Sequence, residues 1–385
     1  MNTQDDDFPF DKKINNFSET IRTIPSERRY WFVRTFGGEL FEDYYVMKRI
    51  GLLANNVPLD MIKLAHNNPS AYKTLQNFIN YNIFPDNASE ATKLANQLVD
   101  FYHKVKIDDI IMMPSSDSNY IAFGKVISGI KETSKTNRTF TYKGDTLQFP
   151  TKYHEVEWIT IKAKSDLIGD IKPLMSSHSG LTNADKYSEP IESNISSLFE
   201  KEDYYYFSLF VDLNENQELN AFELSRYLEA VTKLYKHYCI VNDIEENEDL
   251  FLKIKIQSPG SSVWKWSKPA LIAGVSIIAT MGFFADGGEI SYNKEGELSI
   301  KTTGNIFKNI TNTYASISNT DNENEDKKLE RKRKEFELLK DKKEAGLLTK
   351  EEVEKYHIQL RDSSEALQLK EVESKSVNIA EAVKN

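Results

Sequence analysis

The side chains best suited to catalysis are scattered along this chain. The six histidines are His66, His103, His154, His178, His237 and His357, and no two stand at i+2 or i+4. The zinc-protease pattern His-Glu-x-x-His, which needs two imidazoles on one helical face, is absent. So are the Gly-x-x-x-x-Gly-Lys phosphate loop, the Gly-x-Gly-x-x-Gly dinucleotide turn and the Gly-x-Ser-x-Gly elbow. Ser258-Pro259-Gly260-Ser261-Ser262 looks like a nucleophile loop, but no histidine follows before position 357, so it reads as a turn. Cys239 is the single cysteine, which rules out an internal disulfide or a cysteine-based cluster, and it reads as a buried thiol on a helix face. A metal-dependent nuclease needs a carboxylate on one strand and an acid-x-Lys pair on the next. Pro85-Asp86 has no such partner nearby, and Glu373-Ser374-Lys375 lies in a polar tail. We expect no catalytic residue, no metal and no cofactor; His154 and His178, in the loop-rich end of the first domain, are the histidines worth testing.

Binding chemistry is easier to place. Trp31, Arg34 and Trp158 fall in short apolar runs that read as neighbouring strands, where an arginine and two indoles can stack on and hydrogen-bond a base. The other reading makes both tryptophans core and Arg34 an exposed strand residue. A net charge of -10 disfavours indiscriminate nucleic-acid binding, which needs basic surface, but leaves room for a local basic patch.

These residues need a folded frame, and the composition supplies one: 39% hydrophobic and 11% aromatic residues describe a globular chain. Residues 1–27 read as a polar arm, and Asp5-Asp6-Asp7 stands where a secretory leader would carry positive charge, so we expect a cytoplasmic protein. Arg29–Arg34 predicts a strand, followed by an apolar run at Ile50–Ala54. Residues 58–105 lack glycine and carry Leu94, Leu98, Phe101 and Val105 at helical spacing, which predicts several helices on one side of a sheet. Ile107–Met113 and Tyr120–Ser128 predict paired strands joined through Ser115–Asn119, and Val156–Lys162 alternates as another strand. Residues 28–200 are thus expected to form a mixed sheet or small barrel with a helical insertion, within an α+β chain.

Residues 201–310 read as a second small α+β unit. Tyr204–Leu213 is a strand, and Asn220 and Glu223 have capping-box spacing ahead of the apolar helix face Leu224, Leu228, Val231, Leu234, Tyr235 and Tyr238. Leu252, Ile254 and Ile256 alternate with lysines as a half-buried strand. Pro269–Ala285 carries no charge for seventeen residues, near the lower limit for crossing a bilayer, and Trp264-Lys265-Trp266 ahead of it resembles an interfacial anchor. Its small residues and the following Asp286 favour a buried or oligomer-facing helix, with membrane association through 269–285 as the alternative. Residues 311–326 read as a linker. Residues 327–385 read as a helical tail in which Thr349-Lys350-Glu351-Glu352 is a capping box.

Two stretches carry a family resemblance. Tyr30-Trp31-Phe32-Val33-Arg34, Gly37-Gly38, Phe41-Glu42-Asp43-Tyr44 and Ile50-Gly51 resemble the opening of the module that precedes the nuclease in Mrr-type restriction endonucleases. Lys106–Ile111, Pro114-Ser115, Ala122–Val126 and Val156-Glu157-Trp158 resemble its later signatures. That module is similar to small PUA- and EVE-like barrels, which bind nucleic acid or modified bases in a cleft. We expect a ligand-binding set of Trp31, Arg34, Ser115, Ser116 and Trp158. Leu52 replaces the tryptophan usual after Ile-Gly, and the nuclease motif is missing downstream. Leu338–Leu360 resembles a SHOCT-type helical hairpin, a class associated with oligomerisation. Together these imply a non-catalytic sensor or adaptor in bacterial antiphage defence that binds nucleic acid or a nucleotide-like ligand, oligomerises, or recruits a partner effector protein. A membrane-acting effector and a cryptic metal-dependent nuclease are the alternatives.

Overall fold

The computed structural model describes residues 21–133, 138–211, 220–241, 250–255, 260–267, 270, 273–274, 289–292, 298–301 and 347–371. The chain is α+β and divides into two compact units. One is built on Pro25–Ile195; the other combines residues up to Ile24, which include strand β1 (Arg22–Ile24), with Ser196–Glu373.

In the Pro25–Ile195 unit, β2 (Tyr30–Val33) is followed by α1 (Phe41–Val46) and β3 (Arg49–Gly51). Then come α2 (Leu59–Ala65), α3 (Pro69–Asn82) and α4 (Ala88–His103). Asn68 and Asn87 start the two longer helices by accepting the Ala71 and Glu90 amides at 3.1 Å, and Pro69 needs no acceptor at the first turn. After β4 (Ile110–Pro114) and β5 (Tyr120–Val126) come the short β6 (Lys131–Glu132), a hairpin of β7 (Thr139–Tyr142) and β8 (Asp145–Gln148), and the long β9 (Lys152–Ala163). The unit closes with α5 (Lys172–Met175), β10 (Leu181–Asn183) and α6 (Ser188–Ile195). The sheet order is β10-β2-β4-β5-β9-β3. β2 and β4 are parallel because the helices carry the chain back between them.

Every residue of β2 and of β4 is buried, since both sheet faces are covered. Trp31, Val33, Ile111 and Met113 pack with Leu75, Ile79, Leu98 and Phe101 of the helices. Tyr30, Phe32, Ile110 and Met112 pack on the other face with Leu167, Ile171, Leu174 and Ile191. The helical spacing of residues 58–105 therefore becomes three helices sharing one core with the sheet. A β-bulge between Phe123 and Gly124 shifts the register against β9, and a Cβ on Gly124 would come 2.5 Å from the Trp158 ring.

In the other unit, β1 pairs in parallel with β11 (Leu198–Lys201), which continues into β12 (Tyr204–Val211). α7 (Ala221–Val241) and β13 (Phe251–Lys255) follow. β14 (Gly260–Ser267) lies between β12 and β13, and β15 (Glu289–Tyr292) and β16 (Leu298–Lys301) form a separate two-stranded ladder. α8 (Lys350–Ala366) leads to β17 (Leu369–Glu371), which pairs with β12.

Three expectations change here. The division falls at Ile195, because β11 (Leu198–Lys201) pairs with β12 and, through Phe199–Lys201, with Arg22–Ile24 from the stretch read as an arm. Trp264 and Trp266 are core residues: each is 2% exposed, within the cluster that also holds Tyr205 and Tyr227. The described tail is no separate module, because Leu360, Leu367 and Leu369 join that same core. The first tail helix, the linker and all of Pro269–Ala285 except Ala270, Ala273 and Gly274 lie outside the described residues; Ala270 and Ala273 are buried beside Trp266. Among the described residues no helix is long and apolar enough to cross a membrane.

Candidate functional site

Parallel β2 and β4 deliver their following loops to the same edge of the sheet, the place where α/β architectures gather ligand-binding loops. After β2 the backbone turns through Phe36, Gly37 and Gly38, all at positive φ (55°, 73° and 105°). A side chain on Gly38 would overlap the Ser116 backbone, so glycine is required for the two loops to touch. The Thr35 hydroxyl fastens them further by donating to the Pro114 carbonyl at 2.6 Å.

The loop after β4 is held by Ser115. Its buried hydroxyl accepts the Tyr120 amide at 2.9 Å and donates to the Ser116 carbonyl, and its carbonyl accepts the Ser118 amide. Ser116 is exposed. At the far side of this loop the Asn119 carbonyl accepts the Lys164 amide at 2.8 Å, which ties the loop to the end of β9. The Arg34 amide bonds to the Gly180 carbonyl at 3.0 Å, so Arg34 continues the β2–β10 ladder and, two residues after Phe32, the same sheet face. Its half-buried guanidinium has no acceptor among the described residues.

The structure places Arg34, Ser115 and Ser116 at one sheet edge, through the joined loops after β2 and β4, and leaves the two tryptophans elsewhere. Trp31 is 1% exposed and its indole N–H donates to Asp109 at 2.9 Å. Asp109 also accepts the amides of Arg29 and Lys106, so Trp31 is a core residue pinning β2 to the start of β4. Burial raises the Asp109 carboxyl above its usual range despite those three donors. Trp158 is half-buried and stacks on Tyr45 at 5.5 Å and 7°, over Gly124 on the helix-covered face. It sits four residues before Lys162 on the same strand, about 13 Å by strand rise, and it does not reach Arg34.

Lys162 is the residue that pattern reading missed. At the end of an alternating strand it looks solvated, yet it is 8% exposed, opposite Ile121 on the face covered by Leu167 and Ile171. Burial lowers its ammonium pKa to about 8, and the charge of Asp166 offsets only part of that. Among the described residues its ammonium has no hydrogen-bond acceptor or ion-pair partner.

The tested histidines are structural or solvent-facing. His154 is buried, with Nδ1 3.0 Å from the Ser128 carbonyl and Nε2 2.8 Å from the Phe101 carbonyl, so it bolts β9 to the end of α4. Burial pushes its pKa down. His178 is exposed. His66 and His103 stack at 4.1 Å and 15°; burial, reinforced by the His66 charge, lowers the pKa of His103. Among the described residues no group of three or more His, Cys, Asp or Glu side chains is arranged to hold a metal ion.

No family model, curated protein or solved structure matches this chain. Function has to be read from the edge itself. Its open groups are cations and hydroxyls, which bind anions and hydrogen-bond acceptors; no nucleophile is paired with a base there.

Proposed function

We propose that the protein is a sensor or adaptor in bacterial antiphage defence whose Pro25–Ile195 unit binds nucleic acid or a nucleotide-like ligand along the β2–β4 edge. The observation that carries this reading is the close contact of Gly38 with Ser116, which joins the loop that follows Arg34, whose half-buried guanidinium has no acceptor among the described residues, to an exposed hydroxyl-bearing loop. Guanidinium groups recognise phosphate and base edges bidentately, and hydroxyl loops complete such sites. The defence setting rests on the resemblance of residues 28–200 to the module of Mrr-type enzymes. In this reading the unit that begins at Ser196 assembles the protein or engages an effector.

Fluorescence anisotropy with labelled single-stranded DNA, duplex DNA, RNA and mononucleotides tests the binding. Arg34→Ala should weaken it by about tenfold, the loss of one charge-assisted contact. Absence of affinity for all four probes at low salt rejects the reading. Co-purification from phage-infected cells tests the effector: a stoichiometric partner is expected, and a chain recovered alone refutes recruitment.

A further inference from the structure

Taking the β2–β4 edge as the ligand site, one group there remains without work to do. Lys162 is held among apolar side chains with no acceptor, a placement that is unfavourable for an ammonium unless an anion arrives to compensate it. The sheet register says where such an anion would sit. Phe32 is level with Met112, so Arg34 is level with Pro114; Pro114 pairs with Ile121, and Ile121 pairs with Lys162. Arg34 and Lys162 therefore end one row across four strands on one sheet face, about 14 Å apart at the backbone. That span matches the combined reach of an arginine and a lysine side chain. The Ser115–Asn119 loop runs along the same edge, touching Gly38 at one end and Lys164 at the other.

We propose that Lys162 and Arg34 clamp one phosphate group of the ligand between them, with the Ser116 hydroxyl as a further donor, so that the site reads a phosphate monoester or phosphodiester and not the base alone. The two carboxylates at the rim, Asp117 and Asp166, are exposed and make no hydrogen bond to either cation, although the Asp166 charge offsets part of the cost of burying Lys162. They restrict the site to a single phosphate and disfavour a tract of adjacent ones, consistent with the acidic chain as a whole. Above pH 8 the Lys162 amine of the empty site is largely neutral and would take up a proton when the phosphate binds, which couples affinity to pH in that range.

The full-length protein tests this by two routes. In the first, lysines are reductively methylated with 13C, the Lys162 signal is assigned by its loss in Lys162→Arg, and its titration is followed with and without inorganic phosphate. The expected result is a signal titrating near the value above in the free protein and moving to higher pH with phosphate; a titration that phosphate leaves in place overturns the clamp. In the second, anisotropy with a labelled oligonucleotide compares wild type with Lys162→Met, a variant that removes an uncompensated buried charge and should fold at least as well. Affinity should fall about tenfold and the salt dependence should become shallower by nearly one phosphate contact. Equal affinity and equal salt slope overturn the clamp while leaving nucleic-acid binding intact. Oligonucleotides that fail to bind wild type while phosphate still moves Lys162 reject the nucleic-acid reading and keep the anion site.

Discussion

Acidification should loosen the Ser196-onward unit through one histidine on α8. His357 is buried, 9% exposed, and the Tyr238 hydroxyl of α7 hydrogen-bonds with its Nε2 at 2.9 Å. Its Nδ1 has no partner among the described residues. Burial, and secondarily the neighbouring His237, lower its pKa from 6.5 to about 4. The folded state therefore binds this proton less readily than the unfolded state, so stability is complete above pH 6.5 and is lost as pH falls from there towards 4. A shift of that size corresponds to about 3 kcal/mol, a large share of a domain's net stability. His237 faces the same contact, accepting the Leu348 amide at 3.2 Å, and burial lowers it in the same direction. The assay is urea unfolding across that pH range for wild type and His357→Gln, which keeps a partner for Tyr238 but cannot titrate. The difference between the two proteins should change by about 3 kcal/mol between neutral pH and pH 4, with the variant the flatter. A difference that stays constant with pH would show that His357 is not held neutral in the core, and the packing of α8 on α7 as described would be refuted.

Gly38→Ala should destabilise the Pro25–Ile195 unit by about 2–4 kcal/mol, from a side chain at positive φ and overlap with Ser116; a melting temperature unchanged from wild type contradicts the loop contact. Asp109→Ala removes the acceptor of the Trp31 indole and of the Arg29 and Lys106 amides, and should cost about 3 kcal/mol with a change in tryptophan fluorescence. An unperturbed spectrum and stability would argue against that pin. Thr349→Ala breaks the reciprocal capping box with Glu352 and should cost about 1 kcal/mol, read as faster hydrogen exchange in α8. Exchange rates equal to wild type would contradict it.

Local features were legible from residue order because their causes are local. Thr349 and Glu352 are three apart, and the capping box they announce is the one the helix uses. Asn220 accepts the Phe222 and Glu223 amides as its spacing suggests, although Glu223 turns to Arg226 and Ser363 and does not complete a box. The apolar runs of β2, β4, β5 and β9 and the helical spacing before Val105 likewise mark the elements that form. These signals depend on backbone hydrogen bonds and side-chain periodicity within a few residues.

What joins which strand was decided at long range. Arg22–Ile24 pairs with Phe199–Lys201, and Leu369–Glu371 with strand β12, by backbone groups that carry no residue code. Trp264 and Trp266 look like an interfacial belt in one dimension and become core because side chains of α7 and α8 pack in the same cluster with them. The binding set divides for the same reason. Arg34, Ser115 and Ser116 converge because two parallel strands end together, while Trp31 is drawn into the core and Trp158 stands too far along β9. Residue order by itself determined an α+β chain, its main elements and a basic and hydroxyl-bearing pair of loops. Only the tertiary structure could bury Lys162 without a partner at the edge those loops share, because burial depends on which distant segment covers a face, and nothing in the alternation of β9 states that Leu167 and Ile171 will fold back over it.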